Sequence, residues 1–368
     1  GGKKRQLDGT LKYGFINFLA TTFFLLALGL IYGLLGTLNM ADIVNIATGA
    51  DRAVMTGIAA LLLLAFGMKA AAFPVNAWLP ASYHTPSAGV SALLAGLLTK
   101  VGVYALLRAL VMLMPSTQDT LGPVIALVAI LTLLIAPLGA IAETNLRRAL
   151  GFLVIGGIGS VMLGIALADA NGIAGSATYV LHAMLTITGL YLVAGLIEKA
   201  TGAYDTRHMG GLYAAGAPLG IVFLVLIFAV AGVPPFLGFW PKLLLLESSL
   251  DVSLITSGEA INWWAAALAF SLLANALLTL IAGTRLWAHI FWRAGPEGAQ
   301  SEVPNDRLRP LQRRELWLGF GPTVALVGIV VALGMFPNPL LDLGRSAALD
   351  LLQPGAYVAA TNLAGGTP

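Results

Sequence analysis

Cysteine is absent from the 368 residues, and charged side chains make up only 10% of them. The first absence excludes disulfides and thiolate metal sites. The second excludes an ordinary soluble domain, in which about a quarter of the residues carry charge. The sequence also shows no phosphate-binding glycine loop, metal-ligand cluster or catalytic triad. We therefore expect neither a bound cofactor nor an enzyme that transforms a substrate.

Apolar residues supply 58% of the chain, and the mean hydropathy is +0.88. This composition is typical of a polytopic membrane protein in a lipid bilayer. At about 20 residues per span, the chain has room for roughly eight or nine spanning helices joined by short loops. The net charge of +3 does not indicate nucleic acid binding, because the basic residues gather in loops. The composition therefore predicts an all-α polytopic helix bundle.

The apolar runs set the predicted topology. They cover residues 13–35, 54–78, 87–112, 121–142, 149–167, 176–197, 218–246, 263–291 and 316–336. We expect residues 36–51 and the tail after Phe336 to lie at the membrane surface. Alternate loops, including residues 295–311, are rich in Lys and Arg, which predicts that they and the start of the chain face the cytoplasm. The chain starts with Gly and no signal peptide, which predicts a fragment of a longer protein.

Two lysines stand inside successive predicted spans, and neither is expected near the end of its segment. An ammonium at membrane depth costs from about 2.5 to more than 10 kcal/mol, so Lys69 and Lys100 are predicted to face a cavity, a relay or a counter-charge. Pro74 follows Lys69 by about one and a half helical turns. Because proline removes a backbone donor and clashes with the preceding turn, the span over residues 54–78 is predicted to break there.

A second span, residues 218–246, repeats this pattern. Pro234, Pro235 and Pro241 are predicted to break it, and Lys242 follows directly. A proline-broken span that carries a lysine in each half of a chain indicates a repeated transporter architecture, often with inverted repeats. His182 lies in the span between the two breaks. Its imidazole can connect the lysines, because it both accepts and donates protons near neutral pH.

Each of these residues also has a structural interpretation. Lys242 can extend its ammonium to the headgroups, and His182 can serve as an interhelical hydrogen-bonding group. His84, in the turn after the first break, is either a point where protons enter or a turn residue. The sequence offers no carboxylate at the depth of Lys69, so its counter-charge is expected from outside the chain. A scaffold subunit that conducts nothing is the corresponding alternative function.

Three stretches carry a family resemblance: KAAAFPVNAWLPASYHTPSAGVSALLAGLLTKVGVYALLR, RRALGFLVIGGIGSVMLGIAL and PPFLGFWPKLLLLESSL. They resemble the antiporter-like membrane subunits shared by respiratory complex I, membrane-bound hydrogenases and Mrp-type cation/proton antiporters. Within that family they are most similar to the D-subunit group of the Mrp type. Many relatives have a histidine or another polar residue near Gly157, so this chain departs from the family pattern there.

The resemblance implies two inverted five-helix repeats and a midplane proton relay through Lys69, Lys100, His182 and Lys242. It implies that residues 1–112 are the remainder of the first repeat and residues 113–292 the second. Residues 293–368 then supply a cytoplasmic loop, a final helix and an outer tail. The implied function is cation (Na⁺ or K⁺)/proton antiport in a bacterial inner membrane, with other small and large membrane subunits as partners. The alternative is a proton-pumping subunit of a complex I or hydrogenase assembly.

Overall fold

The structure, a computed structural model, describes residues 4–253, 262–297, 305 and 308–362. Over these ranges the chain forms helices and turns, and its extended pairing is limited to one isolated bridge between Asn145 and Asp205. The prediction of an all-α fold is therefore confirmed. Most of the predicted loop over residues 295–311 lies outside the described residues.

The helices are numbered here in chain order. They are α1 Lys4–Leu35, α2 Met40–Ile46, α3 Arg52–Ala70, α4 Trp78–Tyr83, α5 Ala88–Leu113, α6 Pro115–Ala142, α7 Leu146–Leu167, α8 Ala170–Thr201, α9 Leu212–Ala231, α10 Phe239–Ser253, α11 Trp263–Trp292, α12 Arg313–Met335, α13 Asn338–Leu352 and α14 Gly355–Asn362. Eight of them, α1, α3, α5 to α8, α11 and α12, are long and apolar enough to cross a membrane. The pair α9 and α10 supplies the ninth predicted span in two pieces.

Polar residues in the short loops start several spans. Asp51, Asn145, Asp169 and Asn262 each precede a long helix, and their side chains accept hydrogen bonds from its first backbone N–H groups. Such caps satisfy donors that have no partner within the helix. These caps fix where the four helices begin.

The loops predicted to share one side meet at one end of the bundle. Asn145 pairs with Asp205, and the Arg293 guanidinium donates to carbonyls at residues 206, 207 and 209. Hydrogen bonds from Arg207 lower the pKa of Asp205 to about 2, so this loop carboxylate stays ionised at neutral pH. The alternation of loops matches the predicted topology. That this end faces the cytoplasm stays a prediction.

Helices α7 and α8 form the centre of the bundle, with 78% and 72% of their apolar windows buried, against 17% in α1 and 11% in α12. The short helix expected within residues 36–51 is present as α2. The tail after Phe336, which was predicted to lie at the membrane surface, contains α13 and α14, and Pro339 lies at the start of α13, where proline is tolerated. Helix α13 packs against the central helix α8.

Candidate functional site

The two predicted helix breaks are present. Seven residues, 71–77, separate the end of α3 from the start of α4, and Pro74 is one of them. Helix α9 ends in the same way before α10, and residues 232–238 contain Pro234 and Pro235. Each break leaves backbone groups without helical partners in the middle of a span, where lipid cannot satisfy them. Each break has a buried side, which includes Ala71, Ala72, Leu237 and Gly238, whereas its prolines are exposed at the surface of this chain.

The breaks share one backbone hydrogen-bond pattern, which consists of a bond closing the helix end and a tight turn after it. In the first break, the N–H of Ala72 donates to the carbonyl of Gly67 at 2.9 Å, and the N–H of Val75 donates to the carbonyl of Ala72 at 3.0 Å. In the second break, the N–H of Val233 donates to the carbonyl of Phe228 at 2.9 Å, and the N–H of Phe236 donates to the carbonyl of Val233 at 3.0 Å. Lys69 precedes its break, whereas Lys242 follows its own. The common geometry agrees with a repeated architecture. The predicted domain boundaries stay a prediction.

Two details of the sequence prediction need correction. Pro241 does not break the span but lies in the first turn of α10, where its missing N–H has no intrahelical acceptor to lose. Lys69 was expected away from a segment end, yet it lies in the last turn of α3 because the break follows immediately.

Lys242 is 7% exposed, and its ammonium donates to the carbonyls of Val230 and Ala231 at 3.1 and 2.8 Å. These carbonyls are available because α9 stops at Ala231. They also form the negative end of the α9 dipole, which favours a cation. Lys242 therefore reaches back into the break, and the described residues do not bear out the alternative that it extends to the headgroups.

Lys100 is 4% exposed and is held by oxygen atoms of its own helix. Its ammonium donates to the carbonyl of Ala95 at 2.8 Å and contacts the Thr99 hydroxyl at 3.3 Å. Ala95 lies in a π-helical segment of α5, Leu94–Leu98, in which the usual hydrogen-bond ladder is shifted. A helix irregularity thus supplies an acceptor to Lys100, as the break does to Lys242.

Close packing brings Lys69 beside the helix that carries Lys100. A Cβ atom on Gly102 of α5 would lie 3.0 Å from the backbone nitrogen of Ala70, so glycine favours this close approach of α5 to the end of α3. Lys69 itself is half-buried. Among the described residues, Lys69 has no hydrogen bond or ion pair, and none of their carboxylates contacts its ammonium.

His182 is 1% exposed and lies between the two lysine-bearing regions. The Thr186 hydroxyl donates to the His182 carbonyl and lies 3.0 Å from Nδ1. This pattern assigns the proton to Nδ1 and leaves the lone pair on Nε2. Nε2 faces the second break, since a Cβ on Gly238 would lie 2.9 Å from it. Gly232 in the same break packs against Lys242, since a Cβ there would lie 2.7 Å from the Lys242 side chain.

A small internal cavity joins Lys100 to His182. Both residues line it, together with Gly157, Tyr179 and Val230. The volume of this cavity is about 10 Å³, which is enough for one water molecule. Lys100, His182 and Lys242 thus lie on packed helices next to the end of α3 that carries Lys69, and we call these four residues the lysine seam.

Sequence reasoning missed Tyr179. Its ring packs edge-on against His182 with a centroid distance of 5.2 Å, and its hydroxyl hydrogen-bonds to Ser160 of α7. A Cβ atom on Gly157 would lie 3.0 Å from the Tyr179 ring, so the departure from the family pattern at this position makes room for tyrosine. The available signal was the spacing of Tyr179 and His182, which lie about one helical turn apart.

The bundle end that carries the basic loops has a second, larger cavity of about 440 Å³. His84 lines it and its Nδ1 lies 2.9 Å from the carbonyl of Pro80. The cavity also contains Arg147 and Glu198, a buried ion pair that sequence reasoning did not single out. Within the described residues no group of three or more His, Asp or Glu side chains could hold a metal ion.

A helix bundle with apolar spans, two broken helices and buried ionisable groups beside them defines the class of polytopic membrane proteins that move ions. The family profile described as NADH:quinone oxidoreductase/Mrp antiporter, TM, matches residues 1–268. The chain belongs to this family, which confirms the resemblance inferred from the sequence.

Two curated relatives are named as D-type subunits of a Na⁺/H⁺ antiporter. The relative from Alkalihalophilus pseudofirmus is 32% identical over 360 residues, which cover 97% of this chain and 69% of the relative. The relative from Bacillus subtilis is 32% identical over 363 residues, which cover 98% of this chain and 69% of the relative. Both relatives are therefore longer than this chain.

Solved structures share the fold. A chain of the Mrp complex from Dietzia sp. DQ12-45-1b is similar with a TM-score of 0.83 and 29% identity, over 96% of this chain and 70% of that one. A chain of respiratory complex I from Thermus thermophilus has a TM-score of 0.76 at 24% identity, over 94% of this chain and 69% of that one, which shows a common fold alone.

Proposed function

We propose that this chain is a D-type membrane subunit of a multisubunit Na⁺ or K⁺/proton antiporter in a bacterial inner membrane. Other membrane subunits of the antiporter are its partners, and the lysine seam is its proton relay. The observation that supports this most directly is the alignment of Lys100, His182 and Lys242, each less than 10% exposed, between two broken helices. The names of the curated relatives support the same type of transport.

Proton transfer along the seam requires groups that change charge without being stranded in a dry core. Lys100 and Lys242 are each held by main-chain carbonyls, which stabilise an ammonium and remain neutral when the proton leaves. The Nε2 lone pair of His182 then accepts a proton between them. Each transfer changes the electrostatic potential at the next group, so the seam titrates as a coupled set. That coupling links proton movement to movement of the broken helices.

The experiment that tests the function measures proton exchange in everted membrane vesicles. Cells that lack this chain are compared with cells that carry the complete protein and its partners. We expect added Na⁺ or K⁺ to dissipate a respiration-generated pH difference only in the second set, with choline as the inactive control. Cation-independent behaviour in both sets would refute the proposal.

The alternative is the proton-pumping subunit of a redox-driven assembly. Its support is the fold shared with chains of complex I and of the archaeal sulfane sulfur reductase complex, the latter at 22% identity and a TM-score of 0.83. Purification of the complete assembly distinguishes the two functions, since co-purifying subunits with flavin or iron–sulfur centres would favour the alternative.

Tyr179→Phe tests the group that sequence reasoning missed. The variant keeps the ring packed on His182 but removes the hydroxyl bonded to Ser160. Because one hydrogen bond contributes about 1 kcal/mol, we expect the exchange rate to fall about three- to tenfold while the assembly stays intact. The control is Tyr104→Phe, whose ring is 51% exposed and whose hydroxyl bonds to Arg108 outside the seam. An equal effect of both variants would exclude a specific role for Tyr179.

A further inference from the structure

The cavity at the basic end of the bundle ends at a buried ion pair that the proposed relay does not use. The polar residues lining this cavity of about 440 Å³ include Gln6, His84, Arg147, Glu198, Lys199 and Tyr204. The Arg147 guanidinium meets the Glu198 carboxylate at 2.7 Å, and their side chains are only 6% and 8% exposed. Both partners line the cavity, yet the pair itself is shielded from its open space.

Arg147 also closes the route beyond the cavity. Besides Glu198, its guanidinium donates to the carbonyl of Pro86 and to the hydroxyl of Ser91 at 3.3 Å. Ser91 is fully buried and in turn donates to the carbonyl of Tyr83. The Arg147 side chain thus connects three helices, and it lies between the cavity and Ser91, which does not line the cavity.

The contact between α5 and α8 continues from Ser91 toward Lys100. Ala95, whose carbonyl accepts from Lys100, lies one turn after Ser91, at a rise of about 6 Å. The Thr188 hydroxyl packs against Gly96 on the same contact. In addition, the Tyr83 hydroxyl is buried without a partner among the described residues. Water commonly satisfies a hydroxyl in such a position.

We propose that the Arg147–Glu198 ion pair is the inner gate of an inlet that admits protons from this end of the bundle to Lys100. Arginine holds its proton in proteins, so Arg147 cannot pass protons on, and the pair must part for the inlet to conduct. The fixed charge of Arg147 also repels Na⁺ and K⁺, which makes the gate selective for protons delivered through water and Glu198. This inference rests on the proposed function.

The surroundings of Glu198 allow the pair to part. The titratable or charged groups that face Glu198 are Arg147 from α7, Tyr191 and Lys199 from α8, Tyr204 from the following loop and His84 from the turn after α4. When Glu198 binds a proton, it loses the charge that attracts Arg147. The guanidinium, 6.0 Å from the centre of the Tyr204 ring, can then turn toward that ring and the cavity.

These 368 residues contain no cysteine, so an accessibility test needs replacement only of any cysteines elsewhere in the complete assembly. Ser91→Cys is introduced into the complete protein in its native assembly, and a membrane-impermeant methanethiosulfonate is added from the cytoplasmic side. With the gate intact we expect slow labelling. Adding Glu198→Gln is expected to raise the labelling rate about tenfold, because a buried arginine without its partner leaves its position. The matched control is Ser176→Cys, an equally buried position on α8 near its other end, which should stay unlabelled throughout.

A second variant keeps the test decisive if Glu198→Gln does not assemble. The double variant Arg147→Gln with Glu198→Gln leaves no unpaired buried charge, and removing both partners of a buried pair is often tolerated. It should also accelerate labelling of Ser91→Cys about tenfold, since the obstruction is gone. Equal labelling rates with and without the pair would overturn the gate, as would labelling of the Ser176→Cys control. These readouts do not depend on transport, so they separate failure of the gate from failure of the proposed function.

Discussion

Replacing Lys100 with methionine is expected to reduce cation-dependent proton exchange by more than about tenfold, a loss of the size expected for a proton-transfer group, without lowering the stability of the assembly. Lys100 is buried, its acceptors are neutral oxygens of its own helix, and within the described residues it has no ion pair. An ammonium there carries a desolvation cost that methionine does not. The residue is thus expected to be costly to the fold and necessary for transport.

The measurement combines exchange in everted vesicles with thermal unfolding of the purified assembly. Lys12→Met is the matched control, because Lys12 lies near the start of α1 with a side chain 52% exposed and pairs with Asp8 at 2.7 Å. We expect this control to retain exchange. Normal exchange by Lys100→Met would contradict the relay. A lower unfolding temperature combined with loss of the assembly would instead favour the scaffold function.

The sequence predicted the breaks because their cause is local. Proline lacks an N–H wherever it stands, so Pro74, Pro234 and Pro235 indicate interrupted helices without knowledge of their neighbours. Pro241 shows the limit of this rule, since its effect depends on whether it follows the first turn of a helix or belongs to it. That depends on where α10 begins, which only the packing of the span decides.

The counter-charges could not be predicted from sequence. The sequence indicated that too few carboxylates lay at the depth of the lysines, and it did not indicate which other groups could stabilise their ammonium charges. The structure supplies carbonyl oxygens instead, at the end of α9 for Lys242 and at the π-helical segment of α5 for Lys100. Main-chain acceptors leave no mark in a sequence, because every residue carries one. The pairing of Arg147 with Glu198 was likewise invisible, as the two lie on different helices.

Lys69→Ala and Lys69→Arg together distinguish a proton carrier from a fixed charge. We expect the alanine variant to abolish exchange in the complete assembly, since α3 then presents no ionisable group beside α5. Arginine keeps the positive charge, which the negative end of α3 stabilises, but it does not release its proton in proteins. If Lys69 carries protons, Lys69→Arg should also lose exchange by more than about tenfold.

The two variants are read with the assay used for Lys100, and assembly is checked by co-purification of the partner subunits. Lys69 is half-buried and in the described residues it has no ion pair, so neither substitution strands a charged partner there. Full exchange by Lys69→Arg alone would show that Lys69 acts as a static charge that positions the break. Full exchange by Lys69→Ala would remove Lys69 from the seam, and the relay would then have to begin at Lys100.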